Sequence, residues 1–302
     1  MEEYLMNKGI GSFLWNVIEE KKIRKGTLCK GIISQSELSK IFIQVRIPNY
    51  FIMERLLDRL GISTEQFDYL LPQKDYELCQ LRYKIEKELQ QENGQKVREL
   101  LEEYEIIASK NNIHKQYIYS IYGIVSWIDG KQEEALRWLK KSIECTMPDG
   151  FEPQGIIATE EIKLLILFEK LNYEYGEQTK KKQKRYVLFL QSMKEYVEKN
   201  IEDEKVKASI YPKITNDLIK FQIQRKQYES AAKLCKDTIE LLTNHFMLQG
   251  LLGQIKLLVQ IYENVEVAEE EKHKMHQIYN GLSTLFQTTF LRVCFSNSFG
   301  VK

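Results

Sequence analysis

The chain is poor in the residues that end helices, with five prolines and 15 glycines among its 302 positions. Proline lacks a donor N–H and glycine loses the most backbone entropy on folding, so their scarcity permits long helices and argues against a collagen-like or disordered chain. Charge of one sign is also missing: 44 Lys and Arg face 43 Asp and Glu, for a formal net charge of +1. That balance excludes a bulk polycation and an acidic tail protein, so any contact with nucleic acid must come from a local patch. No apolar run approaches the roughly 18 residues of a membrane span. The opening Met1-Glu2-Glu3-Tyr4 has no basic leader region, and a cytoplasmic location is expected. Five cysteines (Cys29, Cys79, Cys145, Cys235 and Cys294), odd in number and without Cys-x-x-Cys, suit a reducing compartment.

What is present is helical periodicity. Apolar residues recur at i, i+3 and i+4 over most of the chain, no alternating pattern bounded by hairpin turns stands out, and the expected fold is all-α. The prolines are expected where this pattern breaks. Residues 1–71 read as a compact helical domain. Ile10, Phe13, Leu14, Val17 and Ile18 form one apolar stripe, short helices follow near 25–31 and 35–44, and another over 49–60 ends at Gly61. Ser63, with Gln66 three residues on, reads as the cap of a last helix before Pro72. From 76 to about 290 come ten helical segments, which pair into five hairpins: 76–92 with 95–110, 114–128 with 131–145, 157–174 with 180–199, 204–224 with 228–244, and 248–264 with 267–289. Such a series predicts a right-handed α-solenoid over 76–302. Residues 116–149 place Tyr119, Tyr122, Gly123, Ala135, Leu139 and Pro148 close to the tetratricopeptide pattern; 212–245 repeats it more loosely through Leu218, Tyr228, Ala231 and Cys235.

The most specific local signal is Leu28 to Lys40. A helix ending near Gly31, a tight turn and Ser34 as N-cap of a second helix make a helix-turn-helix, with Leu28, Leu38 and Ile41 packed inside. Gln35, Ser36 and Lys40 would then project outward, where such motifs meet base edges. Residues 21–46 hold seven basic side chains against one acid (7 − 1 = +6), while the other 45 residues of the domain hold three basic and eight acidic groups. One basic face on an otherwise acidic domain is what phosphate attraction at a docking helix requires. The expected DNA contacts are Lys25, Ser34, Gln35, Ser36, Lys40 and Arg46.

On the repeats, the first helix of each hairpin should line a groove. Its inward residues are Tyr117, Ser120 and Trp127 on one repeat and Lys213, Asn216 and Lys220 on another. Amide, ammonium and aromatic groups at such spacing suit an extended peptide. Lys180 to Arg185 reads as a solvated basic loop. His273-Lys274-Met275-His276 lacks the Cys or acidic partners of a metal site. The apolar stretch Phe290 to Phe295 is expected to cap the repeats or meet a second subunit. No nucleophile–base pair or phosphate-binding loop is evident, so neither enzyme activity nor a cofactor or metal is expected.

Residues 9–71 resemble the Cro/repressor-type helix-turn-helix, with Arg46-Ile47-Pro48 and Leu56-Leu57-Asp58-Arg59-Leu60-Gly61 matching its end. The whole chain is similar in architecture to the RRNPP group of Gram-positive regulators (the Rgg and PlcR type). That resemblance implies a homodimer, a double-stranded operator, and a signalling peptide on the concave face of the repeats. Two positions depart from it: Phe42 and Gln44 stand where such domains usually carry Glu and Gly. The alternative reading is a protein-interaction adaptor or inhibitor whose helix-turn-helix no longer reads DNA, with Phe42 and Ile43 extending an apolar surface.

Overall fold

The computed structural model describes residues 2–62, 73–108, 110–150, 155–248 and 250–287. They form fourteen α-helices: α1 (Glu2–Glu20), α2 (Lys25–Cys29), α3 (Gln35–Phe42), α4 (Tyr50–Arg59), α5 (Gln73–Gln90), α6 (Gly94–Ile107), α7 (Asn112–Ile128), α8 (Gln132–Thr146), α9 (Thr159–Glu174), α10 (Lys180–Asn200), α11 (Glu204–Gln224), α12 (Tyr228–Asn244), α13 (Leu251–Tyr262) and α14 (Glu269–Gln287). No strand occurs among the described residues. None of their helices is long and apolar enough to cross a membrane. The chain divides into two compact units, Met1–Gly176 and Glu177–Lys302. The helix-turn-helix and the first two hairpins share the first unit, and the expected third hairpin is split, α9 to one unit and α10 to the other. Ser63, Gln66 and Phe290 to Phe295 lie outside the described residues.

In the first unit, Leu14 and Ile18 of α1 close over Leu28, Leu38 and Ile41, all buried, as the apolar spacing predicts. The same core continues through Phe51, Leu56 and Leu57 of α4 into Leu78, Leu81, Leu101 and Ile121. Hairpin α7–α8 is the tightest. Gly123 faces Ala135 and Leu139, and a Cβ on Gly123 would lie 2.7 Å from the Leu139 side chain and 3.2 Å from the Ala135 carbonyl. The small residues of the tetratricopeptide-like pattern therefore mark the place where two helix backbones approach.

The second unit stacks α11 on α12 and α12 on α13 through Ile219, Ala231, Cys235, Leu258 and Ile261. Two expectations are corrected here. Pro212 lies inside α11 rather than at a break; its ring removes one helical bond and packs instead at Gly250, whose left-handed backbone (φ +81°) starts the turn before α13. Lys180 to Arg185 is not a loop but the opening turns of α10, capped by the Thr179 hydroxyl accepting from Lys182 N at 3.2 Å.

A buried chain of hydrogen bonds makes the first unit sensitive to acid. The Arg82 guanidinium can only donate, so its Nε bond to the Tyr104 hydroxyl (2.9 Å) sends the phenolic proton on to His114 Nδ1 (2.6 Å). Burial, and then the Arg82 charge, push the His114 imidazole down to about 4. The unfolded chain takes up this proton from about pH 6.5 and the folded chain only near pH 4, so stability must fall across that window. Urea unfolding should show a loss on the order of 3 kcal/mol between pH 7 and pH 4. His114→Gln should flatten it.

Candidate nucleic-acid interface and ligand groove

The turn and second helix of the helix-turn-helix form as the sequence predicts. Ser34 caps α3: its hydroxyl accepts from Glu37 N (3.1 Å) while Glu37 Oε2 accepts from Ser34 N (3.1 Å), a reciprocal capping box. Gly31 carries the turn at φ +75°, and a Cβ there would lie 2.2 Å from the Thr146 carbonyl at the end of α8. Gln35, Ser36 and Lys40 are exposed on the outer face of α3. The Gln35 amide lies over Gly26, where a Cβ would come within 2.7 Å of its Nε2.

The charges divide by partner. Arg46 pairs with Glu37, whose carboxyl is held below its ordinary range by the Ser34 N–H and then by Arg46. Lys30 pairs with Asp149, and Lys21 donates to the Leu60 carbonyl at 3.3 Å. Lys25 lies over the Trp15 ring at 4.3 Å and the Phe42 ring at 5.5 Å. Lys22, Arg24 and Lys40 have no ion-pair partner among the described residues. The +6 surplus is thus spread over fewer open cations than the count suggests.

The two positions that depart from the helix-turn-helix pattern have separate outcomes. Phe42 is buried and stacks edge-on against Trp15 (5.4 Å), so it belongs to the core and extends no apolar surface. Gln44 takes the left-handed conformation (φ +62°), which a glycine would adopt without strain. It ends α3 in a Schellman turn, with Val45 N bonded to Lys40 O (2.9 Å) and Gln44 N to Ile41 O (3.0 Å). Around it, Ile43, Val45 and Ile47 are 69 %, 72 % and 58 % exposed.

A feature absent from the sequence reading ties this domain to the repeats within the first unit. Arg59, at the end of α4, donates to both oxygens of Glu161 in the first turn of α9 (2.8 and 3.2 Å). It also donates to the Leu28 and Lys30 carbonyls of the turn (2.8 and 2.7 Å) and to Thr146 O (3.2 Å). Glu161 Oε2 accepts from Ala158 N at 2.8 Å. Arg55 approaches Glu161 at 3.5 Å and donates to Gln116, which reaches Thr146, and Asn112 donates to the Gly31 carbonyl at 2.8 Å. Burial alone would raise the Glu161 carboxyl, but Arg59 and Arg55 outweigh it and keep it ionised. The only advance signal was an arginine inside the apolar run Leu56 to Leu60.

The expected groove residues fall into the two compact units, Tyr117, Ser120 and Trp127 on α7 and Lys213, Asn216 and Lys220 on α11. Tyr117 is half-buried against Tyr104 (5.0 Å), and Arg82 stacks on its ring at 4.2 Å. Ser120 Oγ donates to Tyr117 O, and Trp127 is half-buried. In the second unit Asn216 Oδ1 accepts from buried Gln254 (2.9 Å), which leaves its Nδ2 hydrogens for another acceptor. Gln254 also reaches Thr215, which bonds Thr238. Lys220 pairs with Asp217 at 3.1 Å, and Lys213 is half-buried on the same helix.

No family model matches the chain, and no curated protein does. Among solved structures, that of Bacillus thuringiensis PlcR in complex with the peptide PapR7 and DNA aligns over 96% of this chain and 99% of its own, at 14% identity and a TM-score of 0.56. The Streptococcus dysgalactiae SHP pheromone receptor Rgg2 aligns over 94% of this chain and 98% of its own, at 15% identity and a TM-score of 0.37. The PlcR alignment shows that this chain has the all-helical PlcR fold along nearly its whole length.

Breaking the Arg59 contact should be costly, because it strands a buried carboxylate. Arg59→Ala is expected to destabilise the protein by about 3–5 kcal/mol, whereas Arg98→Ala, at a half-exposed pair with Asp129, should cost about 1 kcal/mol or less. Equilibrium urea unfolding at pH 7 distinguishes the two.

Proposed function

We propose that this protein is a sequence-specific DNA-binding transcription regulator controlled by a small peptide held on its helical repeats. The observation that carries the reading is the open outer face of α3, where Gln35, Ser36 and Lys40 project into solvent from a capped helix. In this reading Gln35 and Ser36 read base edges in the major groove, and Lys40, Lys25 and Arg46 act on phosphates. Ser34 contributes through the cap, since its hydroxyl is engaged with Glu37. A homodimer would set two such helices on half-sites about one helical turn apart. The protein would work in the cytoplasm, with no catalytic step.

The peptide reading rests on Tyr117, Ser120, Trp127, Lys213, Asn216 and Lys220, and on the fold shared with PlcR, which in its solved structure holds a peptide and DNA. Its regulatory logic would be a change of population between arrangements of the DNA-binding domains. A second reading, an adaptor that binds proteins through the helix-turn-helix, draws support from the exposed Ile43, Val45 and Ile47.

Selection of binding sites from random double-stranded DNA, followed by gel-shift titration, tests the first reading. Gln35→Ala with Lys40→Ala should weaken the selected site by about ten-fold or more. Lys40→Ala alone should reduce the slope of log affinity against log salt by about one. Failure to enrich any sequence favours the adaptor.

A further inference from the structure

A polar seam runs beneath the surface of α11 in the second unit. Gln254 of α13, Thr215 of α11 and Thr238 of α12 are all fully buried. Their hydrogen bonds run in a fixed sense. Thr215 gives its only hydroxyl proton to the Tyr211 carbonyl (3.0 Å), and Thr238 gives its own to the Leu234 carbonyl (2.7 Å) or to Thr215 (3.2 Å). Thr215 Oγ1 therefore has only lone pairs to offer Gln254. The Gln254 Nε2 hydrogens turn toward it (3.4 Å) and toward Asn216 Oδ1 (2.9 Å), while Gln254 Oε1 accepts from the Cys235 thiol at 3.5 Å. An amide is oriented by its partners, so the half-buried Asn216 keeps Oδ1 toward Gln254 and its Nδ2 hydrogens away from it. Burying such a network adds little net stability, since apolar groups of the same shape can replace it almost neutrally. What it fixes is the sense of one surface amide.

An independent observation at the same amide is a glycine that packing does not require. Gly253 is exposed in the first turn of α13, its φ is not left-handed, and a Cβ there would meet only Asn216 Nδ2 and Oδ1, both at 4.0 Å. It differs from Gly123, where a Cβ would strike Leu139, and from Gly250, whose backbone is left-handed. Glycine weakens a helix relative to alanine, so its presence at 253 has a cost that no contact within the chain explains. Its effect is to leave one flank of the Asn216 amide uncovered. Lys213 and Lys220 stand one turn to either side of Asn216, and Asp217 is engaged by Lys220 and Tyr186. The groups offered on this face are donors, and their complement is an acceptor oxygen that approaches the helix closely.

We propose that Gln254 and Gly253 are positioning residues for a main-chain carbonyl of the peptide ligand. Gln254 holds the Asn216 Nδ2 hydrogens outward, and Gly253 leaves the carbonyl room to reach them. The proposal rests on the reading of the repeats as a peptide receptor, and deepens it by giving this part of the groove its hydrogen-bond sense.

The probe is a synthetic library of random heptapeptides. Those retained by the full-length protein in equilibrium dialysis are identified by mass spectrometry, and the strongest is resynthesised for titration. Gly253→Ala should leave the melting temperature unchanged or higher and weaken that peptide about ten-fold, the weight of one hydrogen bond. Gly281→Ala, at an exposed glycine of α14 with nothing within 4 Å of its Cβ, should have the same thermal effect and leave binding unchanged. Gln254→Leu should weaken binding several-fold. Thr215→Val, which removes the acceptor that orients Gln254, tests the same link should the leucine variant fail to fold. In an Asn216→Ala background none of these changes should weaken binding further, because the contact they position is gone. Binding indifferent to Gly253→Ala or to the Gln254 and Thr215 variants, or losses that persist undiminished in the Asn216→Ala background, overturn the proposal and leave the receptor reading standing. Retention of no peptide overturns both.

Discussion

A guanidinium and a carboxylate removed from water are tolerated only when each lone pair and each N–H finds a partner, and the contact between Arg59 and Glu161 is built on that condition. Arg59 is buried and spends its donors on both Glu161 oxygens, two carbonyls of the helix-turn-helix turn and one at the end of α8. Glu161 is buried at the first turn of α9, where helix N–H groups also favour negative charge. One ion pair thus fixes the loop that aims α3 to the hairpin helices beside it. A single removal would leave the other charge without compensation, so the arrangement is held as a unit.

This contact gives the first compact unit a functional meaning. The boundary near Pro72 separates two kinds of sequence, yet the packing does not separate there: the helix-turn-helix and helices α5 to α9 form one body from Met1 to Gly176. Helices α7, α8 and α9 therefore hold the turn before α3 through Asn112, Thr146 and Glu161. Coupling of this kind needs no long path, only a shared rigid contact.

The two residues at the end of α3 that depart from the helix-turn-helix pattern keep its geometry by other means. Gln44 adopts the left-handed turn without glycine, at some cost in backbone energy, and its amide bonds Ser12 at 3.1 Å. Phe42 fills the core beside Trp15, while Glu37, already needed for the cap, also ties Arg46. The face of α3 is preserved by different residues doing the same local work.

Period and capping are local, and they were legible. Apolar spacing set the ten repeat helices to within a few residues, Ser34 announced the start of α3, and Gly123 with Ala135 marked the close hairpin. A local signal erred where a tertiary contact outweighed it, at Pro212, whose ring is accommodated in α11 against Gly250, and the lysine run read as a loop is drawn into α10 by the Thr179 cap. Partners distant in sequence were beyond reach. Nothing near Arg59 specifies Glu161, 102 positions away, and nothing near Tyr117 specifies Arg82 on a different hairpin. A helix declares its own face through neighbours three and four residues along, but which face meets which, and which charge is buried beside which, is settled only when the whole chain closes on its core.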